Sequence, residues 1–388
     1  MDGQEISLLR KHDMSNNFNK WKTVYDSEDL ISFSKDKEAL LWLKVKSIVR
    51  KKIITEFCVE NKIVLKETTL TKQFEELFNK LSLDINESHK KLDAYILSKN
   101  AKILKELQQE KLVSELYKLH SFEWGGDYQN SLDKYLISHY VKVIRSYDEL
   151  TSKFEYEIKH AVQGYVLNSW YNHWSSILIE HIFKSHGIVL PTVGQIKNVD
   201  FFVNQIPFDL KVTYFPAEFL KEQRKLKDYP VELTYLKSKA KELGITFDKN
   251  AKPSEIHYEI SEKLKDKNSK ESLEVLNLLK KENLDIVKEC IKNPKLLAKW
   301  LYENQGEMRF GSENRLFLVL IDTEDFSASW KLKRNLNLLK PAINDYLDTF
   351  GSKSLDDMKI NFTYRGKSPI YTTYADVIFV MKPIPEPF

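Results

Sequence analysis

The sequence predicts an α/β (α+β) protein, with an all-helical first part and a second part that mixes strands with helices. Three observations predict it. Up to about residue 185, apolar residues recur at three- and four-residue steps, the spacing of helices with one buried face. Three short apolar runs then follow one another across 188–215, separated by polar turn residues. Finally, residues 316–321 (LFLVLI) form a continuous apolar run, as in a strand covered on both faces.

In chain order, residues 1–27 are polar and almost patternless, and are read as a loosely held arm. From 27 to 61 the pattern is helical, carried by Leu40, Leu43, Ile48, Ile54 and Phe57. A second helix is expected over 70–83. A third is expected over 92–119, with Leu104, Leu112 and Leu116 on one face and Lys, Glu and Gln on the other. A loop, HSFEWGGDYQNS, follows, and helix resumes over 132–144 and 154–184. The last stretch carries Tyr156, Tyr165, Trp170, Tyr171, Trp174 and Phe183, aromatics read as core because they bury so much area. Glu180 sits there among Leu178, Ile179 and Ile182, so its carboxylate needs a partner or a task.

His186-Gly187 ends that helix. Strands are expected over 188–193, 196–203 and 206–215, the third stopped by Pro216. Residues 217–305 are helical and charged, too long for a connection, and are read as an insertion. After the 316–321 strand come a helix over 330–350, interrupted at Pro341, and strands over 360–364 and 377–381. Two domains are therefore expected, a helical one over 1–150 and a mixed one over 151–388 with its insertion at about 217–305.

Composition narrows the classes. The chain has 388 residues and a net charge of only +4, so a basic face must come from clustering. Cys58 and Cys290 lack metal-ligand spacing and are read as buried thiols. The nine histidines show no zinc spacing, and His173, His181 and His186 are read as packing or surface residues. No apolar run reaches about 18 residues and the N-terminus has no apolar signal region, so no membrane association and a cytoplasmic location are expected. There is no phosphate-loop or dinucleotide fingerprint.

The most informative stretch is 197–216, KNVDFFVNQIPFDLKVTYFP. With Asn204-Gln205 as a two-residue turn, the paired strands put Asp200 directly opposite Asp209. Side chains of such a pair share a face, about 5 Å apart at Cβ, and Lys211 lies on the same face. Two opposed carboxylates repel unless a cation sits between them. A hard divalent ion such as Mg²⁺ is held in this way, by one or two carboxylates plus waters. The alternative is a salt-bridged hairpin in which Lys211 only neutralises an aspartate.

Asp200 followed by Asp209-Leu210-Lys211 resembles the PD-(D/E)xK signature of the restriction-endonuclease-like nucleases. The order helix 154–184, three strands, helix, strand 316–321 is similar to that family's core, and Glu180 matches an acidic residue often found on its first helix. Val199 stands where the family often has proline, and the long insertion is a second departure. Two other acidic-x-Lys triplets, at Glu157 and Asp357, lack this context. The resemblance covers about 160–325. It implies a restriction-endonuclease-like core, a central mixed sheet flanked by helices. It implies Mg²⁺, with Mn²⁺ as substitute, bound by Asp200, Asp209 and Glu180, with Lys211 acting on the attacking water. It also implies an endonuclease for double-stranded DNA, foremost a site-specific type II restriction endonuclease acting as a homodimer beside a cognate methyltransferase. A nuclease of phage defence, repair or RNA cleavage, and an inactive nucleic-acid-binding relative, are the alternatives.

Nucleic-acid contacts are expected from basic residues around this hairpin. They are Lys197 at its start, Arg224 and Lys225 on the following helix, Arg309, Asn314 and Arg315 before the 316–321 strand, and Lys331, Lys333 and Arg334 after it. Residues 236–260 faintly resemble a SAP-type DNA-binding helical module, although a plain helical pair also fits.

Overall fold

The computed structural model describes residues 17–27, 29–121, 131–304, 313–364 and 366–382. Its centre is one six-stranded mixed sheet in the order β1-β2-β3-β4-β6-β5. The strands are β1 (Val189–Ile196), β2 (Val199–Val203), β3 (Ile206–Tyr214), β4 (Arg315–Asp322), β5 (Lys359–Tyr364) and β6 (Lys367–Lys382). β1, β2 and β3 form an antiparallel meander. β4 then joins β3 in parallel, β6 joins β4 in parallel, and β5 closes the far edge antiparallel to β6.

A parallel neighbour requires a crossover, and the 217–305 segment supplies it. Helices Ala217–Leu226 and Pro294–Asn304 and part of helix Lys270–Lys292 cover one face of the sheet, over Phe215, Phe317, Val319 and Ile321. Helices Glu232–Glu242 and Pro253–Lys267, with the start of Lys270–Lys292, close a small core of their own around Leu236, Ile260 and Leu279. The insertion is thus half sheet cover and half separate lobe. The other face is covered by helices Lys159–Lys184 and Leu336–Phe350, whose Ile179, Phe183, Ile343 and Phe350 pack on Phe201, Phe208 and Leu318. Helix Leu336–Phe350 runs through Pro341, in its second turn.

The N-terminal helices share a core with the sheet, so residue 150 marks no core boundary. Trp42, Leu43 and Ile48 of helix Lys37–Ile48, and Leu92 and Ile96 of helix Ile85–Glu106, are buried with Leu190, Ile196, Val199 and Phe202 of β1 and β2. Residues 17–26, expected in a loose arm, are helical, and Phe18 and Trp21 are buried in the same core. The region read as helical over 27–61 is three helices: Asp29 and Asp36 cap the first two through side-chain acceptors, and the third follows the extended residue Arg50 without a side-chain cap. The Gly-Gly loop lies outside the described residues. Among the described residues no helix is long and apolar enough to cross a membrane.

Candidate active site

The β2–β3 turn has the form the sequence predicts. Asn204 and Gln205 both have positive φ, at 47° and 72°, the left-handed pair of a type I′ turn that matches strand twist. It sets the register Val203↔Ile206, Phe202↔Pro207 and Phe201↔Phe208. One residue further on, Asp200 comes opposite Asp209.

There the ladder changes partners. Asp209 donates its N–H to the carbonyl of Asn314, which leads into β4, at 2.9 Å. The next N–H, that of Leu210, points back toward β2, and Asp200 Oδ2 accepts it at 2.8 Å. A carboxylate thus replaces a ladder carbonyl at the point where the antiparallel hairpin meets the parallel crossover strand. Asp200 is largely buried. Burial pushes its carboxyl up to about 6, and the nearby Asp209 and Glu180 carboxylates push in the same direction against the Leu210 N–H and Lys184.

Asp209 is buried and doubly paired. Lys211 Nζ lies 3.1 Å from its Oδ2, and Arg315 Nε lies 3.2 Å from the same oxygen. Arg315 is the parallel partner of Asp209 on β4, which is why the two share a face. Arg315 also pairs with Glu313. Glu313 was not among the residues singled out from sequence. It is 1% exposed, its Oε1 has no hydrogen-bond partner, and burial raises its carboxyl. Nothing in the sequence around it separates it from a surface loop carboxylate; only the fold brings it beside Asp209.

Glu180 has the partner its apolar setting required, Lys184 Nζ at 2.7 Å, one turn along the same helix. It also lines a cavity of about 530 Å³ together with Asp200, Lys184, Arg50 and residues of β1. A break in the β1–β2 register opens this cavity. Pairing runs from Pro191↔Phe201 to Ile196↔Val199, so the β1 residues 192–195 stand opposite Asp200 alone. Such a bulge bends the strand away from its partner. Thr192 spans the gap, its Oγ1 donating to the Asp200 carbonyl at 3.0 Å.

Among the described residues no group of three or more His, Cys, Asp or Glu side chains is arranged to hold a metal ion, and Glu180 is turned to Lys184. The pair Asp200–Asp209 does suit a hard cation completed by waters, since a divalent ion is often held by one or two carboxylates.

The residues expected to contact nucleic acid differ in burial. Lys197, Lys225 and Lys331 are exposed and Lys211 is half-exposed. Four others are inside and cannot meet a nucleic acid as the chain is folded. Arg224 is buried between Glu282, Asn283 and the Pro230 carbonyl. Asn314 is buried and joins the Pro207 carbonyl, Ser34 and the Tyr374 N–H. Lys333 is bonded to Asn172 and burial pulls its ammonium down to about 8. Arg334 donates to the Leu116 and Leu119 carbonyls and lies over the Tyr117 ring. The apolar stems of Arg and Lys, and guanidinium groups able to satisfy several carbonyls, explain why a basic run folds inward here. Arg315 is turned to Asp209 and Glu313, and Arg309 lies outside the described residues.

His181 and His186 have structural partners, the Leu104 carbonyl and Asp348. Cys58 and Cys290 are free, buried and in different cores. The residues 236–260 lie on two helices, Glu232–Glu242 and Pro253–Lys267, joined by residues 243–252 and packed on helix Lys270–Lys292. No family model, no curated protein and no solved structure matches this chain.

Proposed function

We propose that the chain is a divalent-cation-dependent endonuclease that hydrolyses phosphodiester bonds in double-stranded DNA, built on a restriction-endonuclease-like core. One observation carries this reading: Asp200, Asp209 and Lys211 converge where an antiparallel hairpin meets a parallel crossover strand. The order helix Lys159–Lys184, three antiparallel strands, helical crossover, parallel strand supports the same core.

Asp200 and Asp209 would hold the cation, Mg²⁺ or in its place Mn²⁺, which when bound stabilises charge on the phosphate and lowers the pKa of water. Lys211 stands half-exposed beside Asp209, where it can orient the attacking water and offset charge in the transition state. Arg315 holds Asp209 from the buried side and keeps its carboxylate aimed. Glu180 lies in the adjoining cavity, where it can act through a bound water. A site-specific type II restriction endonuclease is the form we favour. A homodimer would then present two sites to two strands.

A second reading has its own support. Lys211 and Arg315 already neutralise Asp209, as in a protein that binds nucleic acid without cutting it. Incubation of plasmid DNA with the purified protein and MgCl₂, with and without EDTA, separates the two. Cleavage that EDTA abolishes, and that Asp209→Asn and Lys211→Ala each reduce at least 100-fold while remaining folded, is expected. Full activity in either variant removes the site assignment. Discrete fragments rather than a smear indicate site-specific cutting.

A further inference from the structure

The cavity beside Asp200 has a cationic wall that the hairpin does not supply. Arg50 lines it, from the corner between helix Lys37–Ile48 and helix Lys51–Glu60. The corner is extended (φ −134°, ψ 138°), which turns Arg50 out of both helices. It is pressed on β1 at Gly194, where a Cβ would lie 2.3 Å from the Ser47 carbonyl oxygen and 3.5 Å from Arg50 Cγ. Only a glycine permits that approach, so the β1 bulge and the position of Arg50 are one feature.

The carboxylates in the cavity are otherwise engaged. Glu180 is paired with Lys184, and Asp200 accepts from Leu210. No described residue forms an ion pair with Arg50, whose side chain is exposed. Lys46, one turn earlier, is packed over the Tyr25, Trp42 and Phe74 rings. Burial lowers its ammonium, against the nearby Asp26 carboxylate and with smaller contributions from Arg50 and Lys22. An exposed guanidinium that faces a cavity and has no carboxylate paired with it there favours an anion, and its planar fork matches phosphate oxygens.

We propose that Arg50 binds a backbone phosphate of the nucleic acid at the Asp200 cavity, so that the N-terminal helices contribute a substrate-binding residue to the site. This rests on the nuclease reading. The cavity volume lies within the about 300–1,000 Å³ of ligand pockets. A phosphate held there would fix the strand relative to Asp200.

The test is binding of a fluorescent DNA duplex by anisotropy, with CaCl₂ in place of MgCl₂, over about 50–200 mM salt. Each phosphate contact contributes about 0.9 to the slope of log affinity against log salt. Arg50→Ala is expected to weaken binding about 10-fold and to make the slope shallower by about 1. Arg50→Lys should restore much of the slope but not all the affinity, since it keeps the charge and loses the fork. Lys72→Ala, which removes an exposed charge outside the cavity, should change neither. Wild-type slope and affinity in Arg50→Ala, with a wild-type melting temperature, overturn the proposal and leave the nuclease reading standing. An equal loss in Lys72→Ala also overturns it, because the effect is then net charge alone. A wild-type protein that neither binds nor cuts DNA overturns both.

Discussion

Asp200 Oδ2 accepts the backbone N–H of Leu210 at 2.8 Å, and this one bond ties the β2 carboxylate to the segment that carries Asp209 and Lys211. It anchors Asp200, which also lines the cavity. Removing the charge while keeping an acceptor therefore separates structure from chemistry.

In the metal-free protein Asp200 makes folding pH-dependent. Its carboxyl is raised from 3.8 to about 6. The stability associated with the neutral form is fully present below about pH 4, and is lost as pH rises through 6 because the folded chain must then ionise a buried group. Asp200→Asn should stabilise the protein in EDTA at pH 7.5 by about 1–3 kcal/mol, seen as a higher melting temperature, and leave the melting temperature unchanged at pH 4. A variant with the wild-type pH dependence would show that another group is responsible.

Lys44 is buried, with its Nζ 2.6 Å from Asp93 Oδ1 and 2.6 Å from Gln205 Oε1. It thereby fastens the β2–β3 turn to the N-terminal helices. Lys44→Ala leaves Asp93 without its partner and a void behind it, and should cost about 3–5 kcal/mol in chemical denaturation. Lys44→Met fills the space and should cost less. Equal losses would mean that the ion pair contributes nothing beyond volume.

Gly194 and Gly187 provide a matched pair. An added Cβ at Gly194 meets the Ser47 carbonyl, whereas one at Gly187 meets nothing within 4 Å. Gly194→Ala should destabilise by about 1–3 kcal/mol. Gly187→Ala should have little effect. Thermal melts of the two variants decide it, and tolerance at Gly194 would mean that the helix-to-β1 contact is looser than drawn.

Arg224 and Lys225 are adjacent but have opposite fates. Arg224→Ala strands buried Glu282 and Asn283 and should cost about 3–5 kcal/mol. Lys225→Ala, at an exposed position, should stay within about 0.5 kcal/mol. Urea midpoints of the two variants test this, and similar midpoints would show that the buried pair is not needed for stability.

Much of the candidate site is legible in the sequence because it depends on local rules. Asn204-Gln205 determines a two-residue turn, the turn determines the register, and a period of two places Asp200, Asp209 and Lys211 on one face. The continuous apolar run at 316–321 announces β4 for a similar reason: a strand covered on both faces has no polar alternation. What the sequence leaves open is which charges the fold turns inward. Arg224, Lys333 and Arg334 read as surface cations, and only the arrival of Glu282, Asn172 and the Leu116 and Leu119 carbonyls from distant segments makes their burial possible.

The same division holds at the centre of the molecule. The sequence by itself determined the hairpin, its register and the opposed aspartates, since these follow from backbone geometry over a dozen residues. Tertiary structure alone decided that Arg315 and Glu313 stand behind Asp209 and that Arg50 overlooks the Asp200 cavity. The contacts of Arg315 with Asp209 and of Arg50 with the cavity join segments far apart in the chain, whereas Glu180 and Lys184 are one helical turn apart; a local pattern holds no information about which distant charge will neutralise it.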